Sequence, residues 1–160
     1  MTIHFILNGE DVEVKAEANQ KLIGILREQF AINSPKSGCL HGNCGICSVI
    51  FNGLIAPSCL IPAFRLQGSE IITLEGFSQQ DEYQDIIAGF AEAKTENCGY
   101  CNAAKILSTE LLLETGLEPS KEQYTSAFRN IRCRCTDPES LYKGILAAGA
   151  VRQRRLYGHP

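Results

Sequence analysis

The chain has 160 residues, of which 44% are hydrophobic, and a formal net charge of −3. That hydrophobic share supports one ordinary domain or two small ones and excludes wholesale disorder. The acidic balance argues against a nucleic-acid binder, which would present a basic face to phosphate, and no apolar run approaches the eighteen or so residues of a membrane span.

In chain order, residues 2–8 and 11–16 read as two strands joined across Gly9-Glu10. The first has neither the basic start nor the long apolar middle of a signal peptide, so a cytoplasmic location is expected. A short amphipathic helix follows, with Leu22, Ile23, Ile25 and Leu26 as its apolar face. The next stretch, Ser37–Cys47, packs three cysteines and three glycines into eleven residues. Ser48–Phe51 is rich in β-formers and ends at Asn52-Gly53, the strongest short turn signal. Leu54-Ile55-Ala56 returns, Pro57 stops it, and Ile71-Ile72-Thr73-Leu74 reads as one more strand.

The pattern changes near Gly76, beyond which four helices are predicted and no strand. They cover 80–94, 102–115 with Gly116 as C-cap, a third behind the capping box of Ser120 and Gln123, and a fourth opened by Asp137 and Pro138. The basic stretch Val151–Leu156 reads as a solvated terminus, with partner docking as the alternative. The expected fold class is α+β: a β-rich unit over 1–76, then an all-helical unit over 77–160. Units this small are marginal on hydrophobic burial alone and call for a staple. Each holds four cysteines.

Without a secretion signal, eight cysteines point to metal ligation rather than disulfides. The first set is Cys39-x4-Cys44-x2-Cys47, with Cys59 after eleven more residues. This is the plant-type [2Fe-2S] spacing, in which a curling loop gives three thiolates and a separate element the fourth. Gly38, Gly42 and Gly45 let backbone N–H groups turn toward an anionic cluster. A zinc loop would space its cysteines more closely. Cys39-Leu40-His41 starts like a Rieske motif, but no second Cys/His pair follows, so His41 reads as a surface residue.

The second set is Cys98-x2-Cys101 and Cys133-x-Cys135. On spacing alone zinc rivals a cluster here. A thioredoxin-like reading fails because no βαβ pattern surrounds the C-x-x-C. The C-x-C pair lies just before a helix N-terminus, whose dipole favours thiolates. Four and four use every cysteine, and His4, His41 and His159 are scattered. With no nucleophile motif, phosphate loop or dinucleotide fingerprint, no catalytic residue is assigned and the chain reads as an electron carrier.

The stretches "SGCLHGNCGICSVIFNG", "SCLIPAF", "IITLEGF", "NCGYC" and "RCRCT" resemble the small iron-sulfur subunit of the molybdenum hydroxylases, the xanthine dehydrogenase and aldehyde oxidoreductase family. The resemblance runs from about residue 3 to about residue 150. It implies a β-grasp, plant-type ferredoxin-like domain followed by a four-helix domain. It implies two [2Fe-2S] clusters, one on Cys39, Cys44, Cys47 and Cys59 and one on Cys98, Cys101, Cys133 and Cys135. It also implies partners: a large subunit carrying molybdopterin, near the helical cluster, and a medium subunit carrying FAD, near the other. Where the family has glutamine before C-G-x-C, close to the pterin, this chain has Asn97, a shorter side chain for the same contact. Asn102-Ala103-Ala104 and Ile131-Arg132 also depart from the family pattern, and every departure flanks the second cysteine set. The competing expectation is a ferredoxin-like binding module whose helical part is a structural zinc or vestigial docking domain.

Overall fold

The computed structural model of the chain describes residues 1–158; His159 lies outside them. β1 (Thr2–Leu7) and β2 (Glu10–Lys15) form a hairpin in register from Thr2↔Lys15 to Leu7↔Glu10. The turn is Asn8-Gly9, one residue earlier than the Gly9-Glu10 expected. Both of its residues are left-handed, with φ of 53° and 85°, as a tight two-residue hairpin loop requires. Ile3, Phe5 and Leu7 point into the core while Thr2, His4 and Ile6 face out, the period of a half-buried strand.

Helix α1 (Leu22–Phe30) buries the four apolar residues expected of it. β3 (Ser48–Phe51) and β4 (Leu54–Pro57) pair around Asn52-Gly53. Pro57 does not stop β4 but closes it, opposite Ser48. β4 is an edge strand in the sheet order β2-β1-β5-β3-β4, so the missing N–H costs no ladder bond. β5 (Glu70–Ile72) runs parallel to β1 and antiparallel to β3. Thr73 and Leu74 do not extend it, contrary to the sequence reading. The Asn8 side chain takes the Thr73 N–H at 2.8 Å, and the chain turns into the one-turn helix α2 (Leu74–Phe77). The mixed sheet clasping α1 is a β-grasp.

Four longer helices follow: α3 (Asp81–Glu92), α4 (Asn102–Thr115), α5 (Lys121–Phe128) and α6 (Pro138–Tyr157). The capping box of α5 is present, and Asp137 caps α6 by accepting the Ser140 N–H at 2.8 Å. Gly116 does end α4, but in extended backbone rather than a left-handed cap. Gly89 on α3 faces the backbone of Ala147-Ala148 on α6 so closely that no Cβ fits.

α6 runs 20 residues and absorbs the stretch expected as a solvated tail. Arg152 is 5% exposed. It forks onto Glu110 of α4 at 2.6 and 3.2 Å and reaches Asp85 of α3 at 3.2 Å. Arg155 also bonds Asp85, at 2.7 Å, and Glu82. Arg154 and Arg155 stay exposed; the partners of Arg152 and Arg155 stand 42 to 73 residues away, so a local reading saw the basic charges and not the acids that pair with them.

The sheet serves two cores. Val49 of β3 packs with Ile3, Phe5, Leu22, Ile25 and Ile71 on the α1 side. Its neighbour Ile50 faces the other way, among Ile86, Ile106, Leu107 and Ile145 of the helices. The strand's alternation thus holds both cysteine-bearing units on one sheet.

Candidate metal centres

The first cysteine loop joins α1 to β3. It turns through left-handed backbone at Leu40, Gly42 and Gly45, which brings successive N–H groups onto sulfur. Asn43 and Cys44 donate to Cys39 Sγ at 3.1 and 3.3 Å, and Cys39 donates to Cys44 Sγ at 3.5 Å. Cys59 arrives on a short 3-10 turn, Ser58–Leu60, just past β4. The Ser58 N–H and hydroxyl both bond the Cys47 carbonyl, at 3.2 and 2.7 Å. This pins Cys59 beside Cys47, where both are buried against Ile23. The thiols therefore stand in two pairs, Cys39 with Cys44 and Cys47 with Cys59.

The electrostatics differ between the pairs. The His41 backbone N–H, helped by those of Cys44 and Asn43, draws the Cys39 thiol down to about 6. Burial, and then the neighbouring Cys47 thiol, push Cys59 up to about 11. Cys39 thus favours its thiolate and Cys59 its thiol, so a metal held between them would have to displace the Cys59 proton. His41 is exposed and its ring turns back to the Cys39 carbonyl, away from sulfur.

The second set lies where two helices begin. Cys101 is the N-cap of α4, and Cys133-Arg134-Cys135 precedes the Asp137 N-cap of α6. Both positive helix ends are thus turned to the same group of sulfurs. Cys101 Sγ lies 3.2 Å from Cys133 Sγ and 3.8 Å from Cys98 Sγ, and Cys98 also meets the Cys135 thiol. The N–H groups of Cys101 and Tyr100 draw Cys98 down to about 6. At Cys133 burial raises the thiol, but the Cys101 thiol and the Cys135 and Thr136 N–H groups outweigh it and leave it at about 7. Burial raises Cys101 to about 12.

The donors suit a two-iron cluster. In the first set the two pairs, Cys39 with Cys44 and Cys47 with Cys59, match two thiolates per iron. The loop is also shaped around its sulfurs: a Cβ on Gly38 would sit 2.8 Å from Cys44 Sγ. At Gly42 it would overlap Leu60, the residue after Cys59, and at Gly45 the Asn130 carbonyl.

That last contact joins the two loops. The Arg132 N–H donates to the Cys44 carbonyl at 2.9 Å, its guanidinium bonds the Asn43 carbonyl and side chain, and the Tyr100 hydroxyl reaches the Ser37 carbonyl. Asn97 lies beside the second set, its Oδ1 taken by Lys105 Nζ at 2.5 Å. Sequence reasoning placed Lys105 on the second helix and attached nothing to it. The available signal was a lysine four residues after Cys101, between Ala104 and Ile106.

The [2Fe-2S] binding domain family matches residues 73–146, which include all four cysteines of the second set. The chain is 40% identical over 136 residues to the nicotinate dehydrogenase small FeS subunit of Eubacterium barkeri, covering 85% of this chain and 87% of the relative. It is 35% identical over 153 residues to a nicotinate dehydrogenase subunit of Pseudomonas putida, covering 96% and 98%. The chain belongs to the small iron-sulfur subunits of the molybdenum hydroxylase family. Its fold matches a chain of quinoline 2-oxidoreductase from Pseudomonas putida 86 with a TM-score of 0.82 at 29% identity, over 96% of each. As a member of this family it binds [2Fe-2S] iron-sulfur and is one component of an oxidoreductase. No described helix is long and apolar enough to cross a membrane.

Proposed function

We propose that the chain is the electron-transfer subunit of a cytoplasmic molybdenum hydroxylase acting on an N-heteroaromatic substrate. Cys39, Cys44, Cys47 and Cys59 hold one [2Fe-2S] cluster in the unit 1–76, and Cys98, Cys101, Cys133 and Cys135 hold a second in the unit that follows. The partners are a large subunit carrying molybdopterin, contacted by Asn97, and a medium subunit carrying FAD. The names of the nicotinate and quinoline relatives support the substrate class.

When bound, each cluster supplies a centre that takes up and gives back one electron. The protein's own residues do the rest. The inward N–H groups of Asn43, Cys44, Tyr100, Thr136 and their neighbours favour the thiolates that bind iron. Ile23 packs on Cys47 and Cys59, which are almost fully shielded from water. Arg132 ties the two loops together.

The observation that carries the reading is this tie between two tetrads of thiols. From Cys133 the route runs back one residue to Arg132, across one hydrogen bond of 2.9 Å to the Cys44 carbonyl, and into the other set. Anaerobic purification from the native host should recover the chain with a molybdenum-containing and a flavin-containing subunit. Reduction with dithionite should then give two distinct electron paramagnetic resonance signals. A single signal, or a chain that purifies without either partner, would contradict the proposal.

A further inference from the structure

Lys105 is fully buried, with no exposed surface. It sits on α4 one turn after Cys101, and its three N–H donors meet three acceptors. Nζ lies 2.5 Å from Asn97 Oδ1, 2.7 Å from Thr136 Oγ1 and 3.9 Å from Cys133 Sγ. The Thr136 hydroxyl donates to the Glu96 carbonyl at 2.6 Å, which leaves its oxygen free to accept from the lysine.

Among the described residues no carboxylate forms an ion pair with Lys105. Among the described residues the lysine ion pairs involve Lys121 alone, and the acids buried on α3 and α4, Asp85 and Glu110, are engaged by Arg152 and Arg155. A buried charge is tolerated only when compensated. The compensating charge lies on the sulfur side. The ammonium's nearest sulfur is Cys133 Sγ, at 3.9 Å.

We propose that Lys105 sets the reduction potential of the helical-unit cluster, holding it above the value the thiolates and backbone alone would give. Two ferric ions, two sulfides and four thiolates sum to two negative charges, and uptake of one electron makes three. An ammonium fixed against one of those thiolates stabilises the more negative state. Its low-dielectric surroundings keep that effect from being screened. Because the acceptors on Asn97 and Thr136 orient it, Lys105 acts as a positioning residue for the electron and not as a group that reacts.

The inference rests on the proposal that the second cysteine set holds a [2Fe-2S] cluster, and the test separates the two. Iron content and the two-signal spectrum of the wild-type holoprotein examine the cluster assignment. An anaerobic potentiometric titration of the full-length holoprotein, followed by electron paramagnetic resonance, then examines Lys105. In Lys105→Met the equilibrium constant for reducing the helical-unit cluster should fall ten-fold or more, a downward shift of 59 mV or more for one electron. The potential of the first cluster should stay where it is, and Lys105→Arg should recover much of the shift. Should Lys105→Met fail to retain the second cluster, the isosteric Asn97→Asp decides. It sets a carboxylate on the same ammonium and should lower the same potential. An unchanged second potential in Lys105→Met, or in Asn97→Asp when the first variant loses its cluster, overturns the proposal. So does an equal shift at both clusters.

Discussion

Arg152→Met tests how the helical unit is held together. The substitution keeps an unbranched side chain at a site that is 5% exposed but removes the cation between Glu110 and Asp85. Asp85 keeps Arg155, at 2.7 Å. Glu110, 6% exposed and, among the described residues, bound through both oxygens only to Arg152, loses that partner. Unit charges about 4 Å apart attract by about 4 kcal/mol at an effective dielectric of about 20, and breaking a buried pair from one side costs about 3–5 kcal/mol. For a chain of this size that lowers the melting midpoint by on the order of 10 °C. Cluster loss makes unfolding irreversible, so midpoints should be compared by circular dichroism at one scan rate on anaerobic holoprotein. Adding Glu110→Gln should recover at least about 1 kcal/mol, because it removes the stranded charge.

The pH dependence has a definite sign. Burial, opposed by Arg152, already holds the Glu110 carboxyl above its ordinary value. A carboxyl raised on folding favours the folded state below its unfolded pKa and weakens it as pH rises through the folded value. Removing Arg152 raises that carboxyl further, so the deficit of Arg152→Met should shrink as pH falls from 8 toward 5. A variant that melts with wild type at pH 7, or a double variant whose losses simply add, would refute the reasoning.

Three further outcomes follow from the same geometry. Gly45→Ala forces a Cβ into the Asn130 carbonyl at a left-handed position and should destabilise by about 2 kcal/mol or more, seen as earlier thermal loss of the visible iron-sulfur absorbance. Asp137→Ala removes the cap of α6 and should cost about 1 kcal/mol, a midpoint drop of a few degrees. At Glu75 burial raises the carboxyl, but bonds from the Ser34 hydroxyl and N–H outweigh it and lower the pKa. Its stabilisation is therefore present above the ordinary glutamate range and lost as pH falls through the lowered value, so Glu75→Gln should flatten the loss of stability between pH 5 and 3.

That the cysteines fall into two groups was legible because most of their spacing is local, and the structure brings each group together. Cys39-x4-Cys44-x2-Cys47 and the Asp137-Pro138 helix start each lie within one short stretch of chain. The misread features depend on distant partners. Pro57 is tolerated in a strand because β4 is at the sheet's edge, Thr73 leaves β5 because Asn8 takes its N–H, and Arg152 is buried because Asp85 and Glu110 meet it. Lys105 belongs with these. A lysine among apolar neighbours gives no local hint of a thiol beside it, since Cys133 lies 28 residues on. The Arg132 bridge to Cys44 was equally invisible, since it joins loops that only the shared sheet brings together.

The central claim is that both tetrads hold [2Fe-2S] clusters. Iron and acid-labile sulfide per chain, measured by metal analysis on anaerobically purified protein and its Cys135→Ser variant, test it most directly. The account predicts about four irons and four sulfides for wild type, falling to about two of each in the variant. Two irons with one zinc in wild type, or a variant that keeps all four irons, would contradict it.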